Sequence, residues 1–229
     1  MTREEILSKV DHTLLKAVSS WDQIQKICDE ALENKTASVC VPPCYAARIK
    51  EKYGESLNIC VVVGFPLGYE ITEAKVLEAE CAVRDGASEV DMVINITDVK
   101  NGDFDKVTSE IRALKKAVGS KVLKVIIETC YLTEEEKIRL CSCVTEAGAD
   151  FIKTSTGFGT GGATLEDIRL FKKYIGPGVK IKAAGGMKTL EDVLAFANEG
   201  VDRLGTSSAL RLLDESEEYR KQQKFLHKY

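Results

Sequence analysis

Residues 151–186 read FIKTSTGFGTGGATLEDIRLFKKYIGPGVKIKAAGG. Two short apolar strands are expected in this stretch, Phe151–Thr154 and Val179–Ala183, with an amphipathic helix between them that starts at Thr164, a residue type suited to an N-cap. Near-continuous apolar strands suit a parallel sheet covered on both faces. Each of these strands nevertheless carries a lysine near its C-terminal end, Lys153 and Lys182. A lysine in apolar surroundings has to be paired or give up its charge. Two of them side by side ease each other's deprotonation, and a neutral amine attacks carbonyl groups. Two ammonium groups ~5 Å apart at an effective dielectric of ~20 repel by roughly 3 kcal/mol. That is about two pKa units, enough to bring a lysine from ~10.4 to near 8.

The same alternation extends along the whole chain. Further strands are expected at Asp11–Leu15, Ser38–Val41, Ile59–Gly64, Glu89–Asn95, Val122–Glu128 and Arg203–Gly205. Helices fall between them. Ser20 with Gln23 and Thr133 with Glu136 form capping boxes, and Thr72 and Thr189 stand at further N-cap positions. Over Gly102–Val118, the residues Phe104, Val107, Ile111, Leu114 and Val118 make one apolar helical stripe. An extra N-terminal helix, Arg3–Lys9, has its own capping box at Thr2 and Glu5. No linker or low-complexity tract divides residues 1–229, so one domain is expected, with a tail at about 219–229. Eight strand–helix units in 229 residues predict an α/β fold, a (β/α)8 TIM barrel. The rival is an open, doubly wound sheet.

Composition narrows the function. Net charge is −4 and the isoelectric point about 5.5, so there is no basic field for nucleic acid. No 18-residue apolar run suggests a membrane span. The opening Met1-Thr2-Arg3-Glu4-Glu5 lacks the apolar core of a signal peptide, which points to the cytoplasm. There the eight cysteines are expected as thiols; Cys40 and Cys60 sit in apolar strands as small hydrophobes. Cys141 and Cys143 have no second pair at zinc spacing, and His12 and His227 are the only histidines, so no metal and no cofactor are expected.

In a barrel the active site lies at the C-terminal ends of the strands. Gly157 follows Lys153, Gly185 and Gly186 follow Lys182, and Gly205-Thr206-Ser207-Ser208 leads into a short helix ending near Leu213. Glycines and hydroxyls after the last strands, beside a helix N-terminus, suit a phosphate group. The plainer reading is tight turns. Asp91, in strand four, needs a cationic partner if buried, either as a structural salt bridge or as a proton relay. Asp11 and Thr13 on the first strand, and Lys124 and Glu128 on the fifth, are supporting candidates. The basic tail ends at Tyr229, whose hydroxyl is a candidate for a proton relay at the mouth of the site; the alternative is a solvated end.

The segments VDHTLL (10–15), SVCVPP (38–43), VVVGFPLG (61–68), EVDMVIN (89–95), LKVIIET (123–129), DFIKTSTGFG (150–159), IKAAGG (181–186) and RLGTSS (203–208) resemble the deoxyribose-phosphate aldolase family, one match per strand, in order. The resemblance implies a TIM-barrel class I aldolase. Such an enzyme interconverts 2-deoxy-D-ribose 5-phosphate with D-glyceraldehyde 3-phosphate and acetaldehyde, without a metal, in deoxyribonucleotide catabolism. It implies Lys153 as the Schiff-base lysine, Lys182 as the second lysine and Asp91 as the proton relay. Gly157, Gly185, Gly186, Gly205, Ser207 and Ser208 would contact phosphate, and Thr156 would line the substrate channel. Some family members carry a lysine where this chain has Phe158; Lys188 is the candidate substitute. The expected partners are a phosphosugar and a second copy of the chain, a dimer being favoured. The competing functions are another class I aldolase, a phosphosugar isomerase or synthase that forms no imine, and a non-catalytic phosphometabolite binder.

Overall fold

A computed structural model describes residues 1–216 of the chain. Eight strands pair in parallel in chain order: β1 (Val10–Thr13), β2 (Ser38–Val41), β3 (Ile59–Val63), β4 (Glu89–Val93), β5 (Val122–Ile126), β6 (Phe151–Lys153), β7 (Lys180–Ala184) and β8 (Arg203–Thr206). β8 then pairs with β1 and closes the barrel, which excludes the open sheet. The extra N-terminal helix is α1 (Arg3–Leu7), two residues shorter than expected. The connections carry α2 (Trp21–Asn34), α3 (Ala46–Tyr53), α4 (Thr72–Arg84), α5 (Ile96–Lys100), α6 (Phe104–Val118), α7 (Glu134–Glu146), α8 (Leu165–Tyr174) and α9 (Leu190–Glu199). A last helix opens at 209 and is still helical at 216, past the expected end near Leu213.

The local signals act as their chemistry predicts. Thr2, Ser20, Thr133 and Thr189 each close a capping box, and Thr164 accepts the Asp167 N–H. Thr72 differs. It is the first helical residue, and the N-cap is Ile71, with no side-chain bond. That helix is anchored by a tertiary contact instead: the buried Lys75, one turn in, donates to the carbonyls of Gly68 and Val93 and to Glu110.

Strand alternation divides the core in two. Val61, Val63, Val90, Met92, Leu123, Val125, Ile152, Ile181 and Leu204 point outward and join the large apolar cluster beneath the helices. The other face fills the barrel and is largely polar. Cys40, Cys60 and Val62 form a small apolar group there, with Leu15 and Phe65 packed on it. β1 starts one residue earlier and stops two earlier than expected, so Leu14 and Leu15 lie at the mouth, with the Leu14 N–H still donating to the Cys40 carbonyl.

Candidate active site

The inward faces of the strands bring seven ionisable side chains into one buried cluster. Register aligns Asp91 with Lys124 across β4 and β5, Lys153 with Lys182 across β6 and β7, and Lys182 with Arg203 across β7 and β8. Asp91 Oδ2 accepts from Lys153 Nζ and from Lys182 Nζ, each at 2.7 Å. Its Oδ1 accepts from Lys124 Nζ at 2.8 Å and from the Cys60 thiol at 3.1 Å. Lys182 donates also to Asp11 Oδ2 at 2.5 Å. Arg203 bonds Asp11 and forks onto both oxygens of Glu89, while Lys124 lies 2.6 Å from Glu89. Three carboxylates therefore face four cationic side chains. An isolated buried charge would be prohibitively costly, and this lattice removes that cost by giving every member a partner.

The electrostatics follow from this packing. Burial raises the carboxyl of Asp91, but Lys124, Lys153 and Lys182 outweigh it and hold that carboxyl well below the ordinary range. Asp11 is depressed in the same way, by Lys124, Lys182 and Arg203 against burial. Burial pushes Lys182 down, yet Asp11 and Asp91 win and hold it above its ordinary value. The expected pair of mutually repelling lysines is thus modified. The two are neighbours in register, but a carboxylate stands between their ammonium groups and keeps Lys182 charged.

A cavity of about 430 Å³ opens at the C-terminal end of the barrel. Lys153 forms its floor and is the only one of the four buried cations to reach it. Thr156 and Gly157 line it from the loop after β6, Gly185 and Gly186 from the loop after β7, and Gly205, Thr206 and Ser207 from β8 and beyond; Thr13 lines it from β1. Among the described residues no carboxylate lines this cavity, whereas Lys16 does. The loop glycines have two functions. Gly157, Gly185 and Gly186 have φ of 86°, 73° and 80°, conformations that favour glycine and leave N–H groups exposed. Gly162 packs so closely that a Cβ there would lie 2.4 Å from the Gly185 carbonyl carbon. A Cβ on Gly205 would come within 3.0 Å of Lys182 Cε, so this glycine also makes room for the lysine.

Other expected residues lie elsewhere. Ser208 is not in the cavity wall; its hydroxyl bonds the Met187 carbonyl and its N–H donates to Thr206. Lys188 does not line the cavity, and its N–H is used in the cap of α9 by Asp192. Tyr229, like His227, lies outside the described residues. Sequence reasoning missed Glu89, Arg203 and Lys16 and left Lys124 and Glu128 undifferentiated. Period-two alternation could have found the first two, because Glu89 shares a face with Asp91, and Arg203 is level with Lys182. No pattern marks Lys16, three residues past β1. The donor atoms of Cys40, Cys60 and Asp91 lie close enough together to hold an ion. Asp91 is already saturated by three lysines, however, and a cation there would join four others, so this donor set does not fit a metal.

Comparison with known proteins agrees with the barrel fold and places the chain in a family. Residues 6–212 match the family described as DeoC/LacD family aldolase. A deoxyribose-phosphate aldolase from Clostridium botulinum (strain Alaska E43 / Type E3) is 70% identical over 213 residues, covering 93% of this chain and 96% of its own. Among solved structures, one described as QR15, an aldolase, is 39% identical with a TM-score of 0.87, over 96% of this chain and 98% of its own. The deoxyribose phosphate aldolase from Aeropyrum pernix, described as tetrameric, is 29% identical with a TM-score of 0.87, over 94% of this chain and 92% of its own.

Proposed function

The chain belongs to the DeoC/LacD family of aldolases, and from that premise we propose that it reversibly cleaves 2-deoxy-D-ribose 5-phosphate into D-glyceraldehyde 3-phosphate and acetaldehyde through an imine on Lys153. The reading rests on one observation above all: Lys153 alone among the buried cations faces the cavity, while Lys182 is tied to two carboxylates. With three carboxylates against four cations, loss of a single proton leaves the cluster neutral. Of the four cations, Lys153 is the one whose amine can meet a carbonyl group in the cavity.

The chemistry proceeds from that amine. Lys153 Nζ attacks the C1 aldehyde of the open-chain sugar, and loss of water gives a protonated imine, whose positive charge Asp91 stabilises at hydrogen-bond distance. The C3 hydroxyl proton passes by way of a water in the cavity to Asp91, which lies behind Lys153 and is hydrogen-bonded to Lys182. As the C2–C3 bond breaks, Lys153 loses its charge, one of the three that depress the Asp91 carboxyl, so Asp91 can hold the proton until it is returned to C2. The electrons of the C2–C3 bond move to C2 and into the imine nitrogen, and glyceraldehyde 3-phosphate departs. The enamine is protonated at C2, and hydrolysis releases acetaldehyde and restores Lys153. The phosphate occupies the glycine loops beside Ser207, with Lys16 as its cation. We further propose that the chain acts as one domain, in the cytoplasm, as a dimer. Among the described residues, no helix is long and apolar enough to cross a membrane.

Borohydride reduction in the presence of acetaldehyde tests the central step. An ethyl group should appear on Lys153, and Lys153→Arg, whose guanidinium stays charged, should abolish both label and turnover. Label on a different lysine, with Lys153 untouched, would overturn the assignment.

A further inference from the structure

Glu128 lies two residues beyond β5, at the rim of the barrel, and the mechanism above gives it no part. It is buried, 2% exposed, and its backbone is left-handed, with φ of 53° and ψ of 67°. A side chain larger than glycine is seldom held in that conformation, so its surroundings dictate its place. The carboxylate crosses to the loop after β6. There Thr156 N–H is shared between its two oxygens at 3.2 and 3.3 Å, and the Thr156 hydroxyl donates to Oε2. The packing leaves no slack: a Cβ on Gly159 would lie 3.1 Å from Glu128 Cδ and 2.9 Å from Cys130 Sγ.

A threonine hydroxyl has one proton to give and two lone pairs. At Thr156 the proton goes to Glu128, and one lone pair accepts the Phe158 N–H at 3.0 Å. A single lone pair is left, on a residue that lines the cavity between Lys153 and Gly157. We infer that Glu128 is a positioning residue that commits the Thr156 proton away from the cavity, so that Thr156 offers the ligand only an acceptor and selects an acceptor aldehyde bearing a hydroxyl beside its carbonyl. The inference rests on the aldolase reading and deepens it. In the sugar, C1 is held at Lys153 and the C5 phosphate near Gly157. C3 carries the reacting hydroxyl, so the C4 hydroxyl is the one left to meet Thr156. In the condensation direction this is the C2 hydroxyl of glyceraldehyde 3-phosphate.

The test compares kcat/KM for condensation of acetaldehyde with D-glyceraldehyde 3-phosphate and with 3-oxopropyl phosphate, which lacks that hydroxyl. The native chain should favour the hydroxylated acceptor. Glu128→Gln keeps the shape but leaves a single acceptor oxygen, for which the Thr156 N–H and hydroxyl must compete, so the threonine proton is no longer committed to it. The preference should fall about tenfold, the worth of one hydrogen bond. Thr156→Val should lose it to the same extent, Thr156→Ser should keep it, and the double variant Glu128→Gln/Thr156→Val should lose no more than either alone. If Glu128→Gln does not fold, Glu128→Asp, whose carboxylate is withdrawn by one carbon, takes its place with the same expected loss. An unmoved preference, or an equal fall with both acceptors, overturns the inference. Borohydride trapping on the native chain separates the two readings: no trapping defeats the aldolase itself, whereas trapping with an unmoved preference defeats only the role of Glu128.

Discussion

Lys153 and Lys182 are the same residue type, paired in register on adjacent strands, and their surroundings give them different chemistry. Lys182 is fully buried between Asp11 and Asp91, which hold it charged. Lys153 has one carboxylate partner and an open side toward the cavity. A third lysine, Lys16, meets the cavity from the loop after β1, where the loop after β6 presents Phe158, packed edge-on against Phe65. With no carboxylate in the cavity wall among the described residues, its charge is open to an anion. Lys16→Gln should therefore raise KM for deoxyribose 5-phosphate about fivefold, an effect of roughly 1 kcal/mol for an exposed cation. KM for unphosphorylated deoxyribose should stay constant. Equal rises for both sugars would remove Lys16 from phosphate recognition.

At the scale of elements, the barrel mouth is braced by an ion pair that touches no substrate. Lys75, on α4, inserts its ammonium beneath the loops after β3 and β4, bonding the carbonyls of Gly68 and Val93 and Glu110 at 2.8 Å. Glu110, on α6, returns its second oxygen to the Asn95 N–H at 3.1 Å. Two helices and two loops are thereby joined through one buried pair. Burial raises the Glu110 carboxyl most, with Lys75 opposing it. Removing one partner leaves the other charge buried and two carbonyls unsatisfied. Lys75→Met should lower unfolding free energy by about 3–5 kcal/mol in guanidinium titration. The double variant Lys75→Met/Glu110→Leu should recover part of that loss, because the orphaned charge goes as well. A loss below about 1 kcal/mol in the single variant would show the brace to be dispensable.

At the scale of the whole molecule, a buried lattice of opposite charges sets how stability depends on pH. Asp11 and Asp91 have folded-state pKa values below their unfolded values. Their stabilisation is therefore complete above the unfolded carboxylate value of about 4 and fades as pH falls through the folded values. Lys124 and Lys182 are shifted upward, so theirs is complete below about 10.4 and fades only above it. The network's contribution should be level between about pH 5 and 9, and Tm should fall steeply below about pH 4. Because the cluster is buried, salt should screen it weakly. Asp91→Asn should flatten the acid fall in Tm, and an acid limb unchanged in that variant would place the dependence elsewhere in the chain.

The sequence by itself determined the elements and their kind. Apolar strands in parallel runs, capping boxes at Thr2, Ser20 and Thr133, and the stripe from Phe104 to Val118 are local chemistry, so they could be read without a fold. Eight such units also implied closure, and the strand-end lysines with Asp91 implied where the chemistry would be sought. Tertiary structure alone decided what those residues meet. Asp11, Glu89, Lys124 and Arg203 lie on four different strands, and only register around a closed barrel joins them to one another and, through Asp11 and Lys124, to Lys182 and Asp91. The start of α4 at Thr72 escaped a reading based on caps because its anchor, Lys75, bonds loops that are distant in sequence from one another. Lys16 carries no local signal, since a lysine in a loop occurs everywhere, and Glu128 shows only that it shares a strand face with Lys124. Their significance comes from the cavity one faces and the hydroxyl the other holds. Short-range chemistry is written along the chain, whereas the pairing of charges depends on distances that exist only once the barrel has closed.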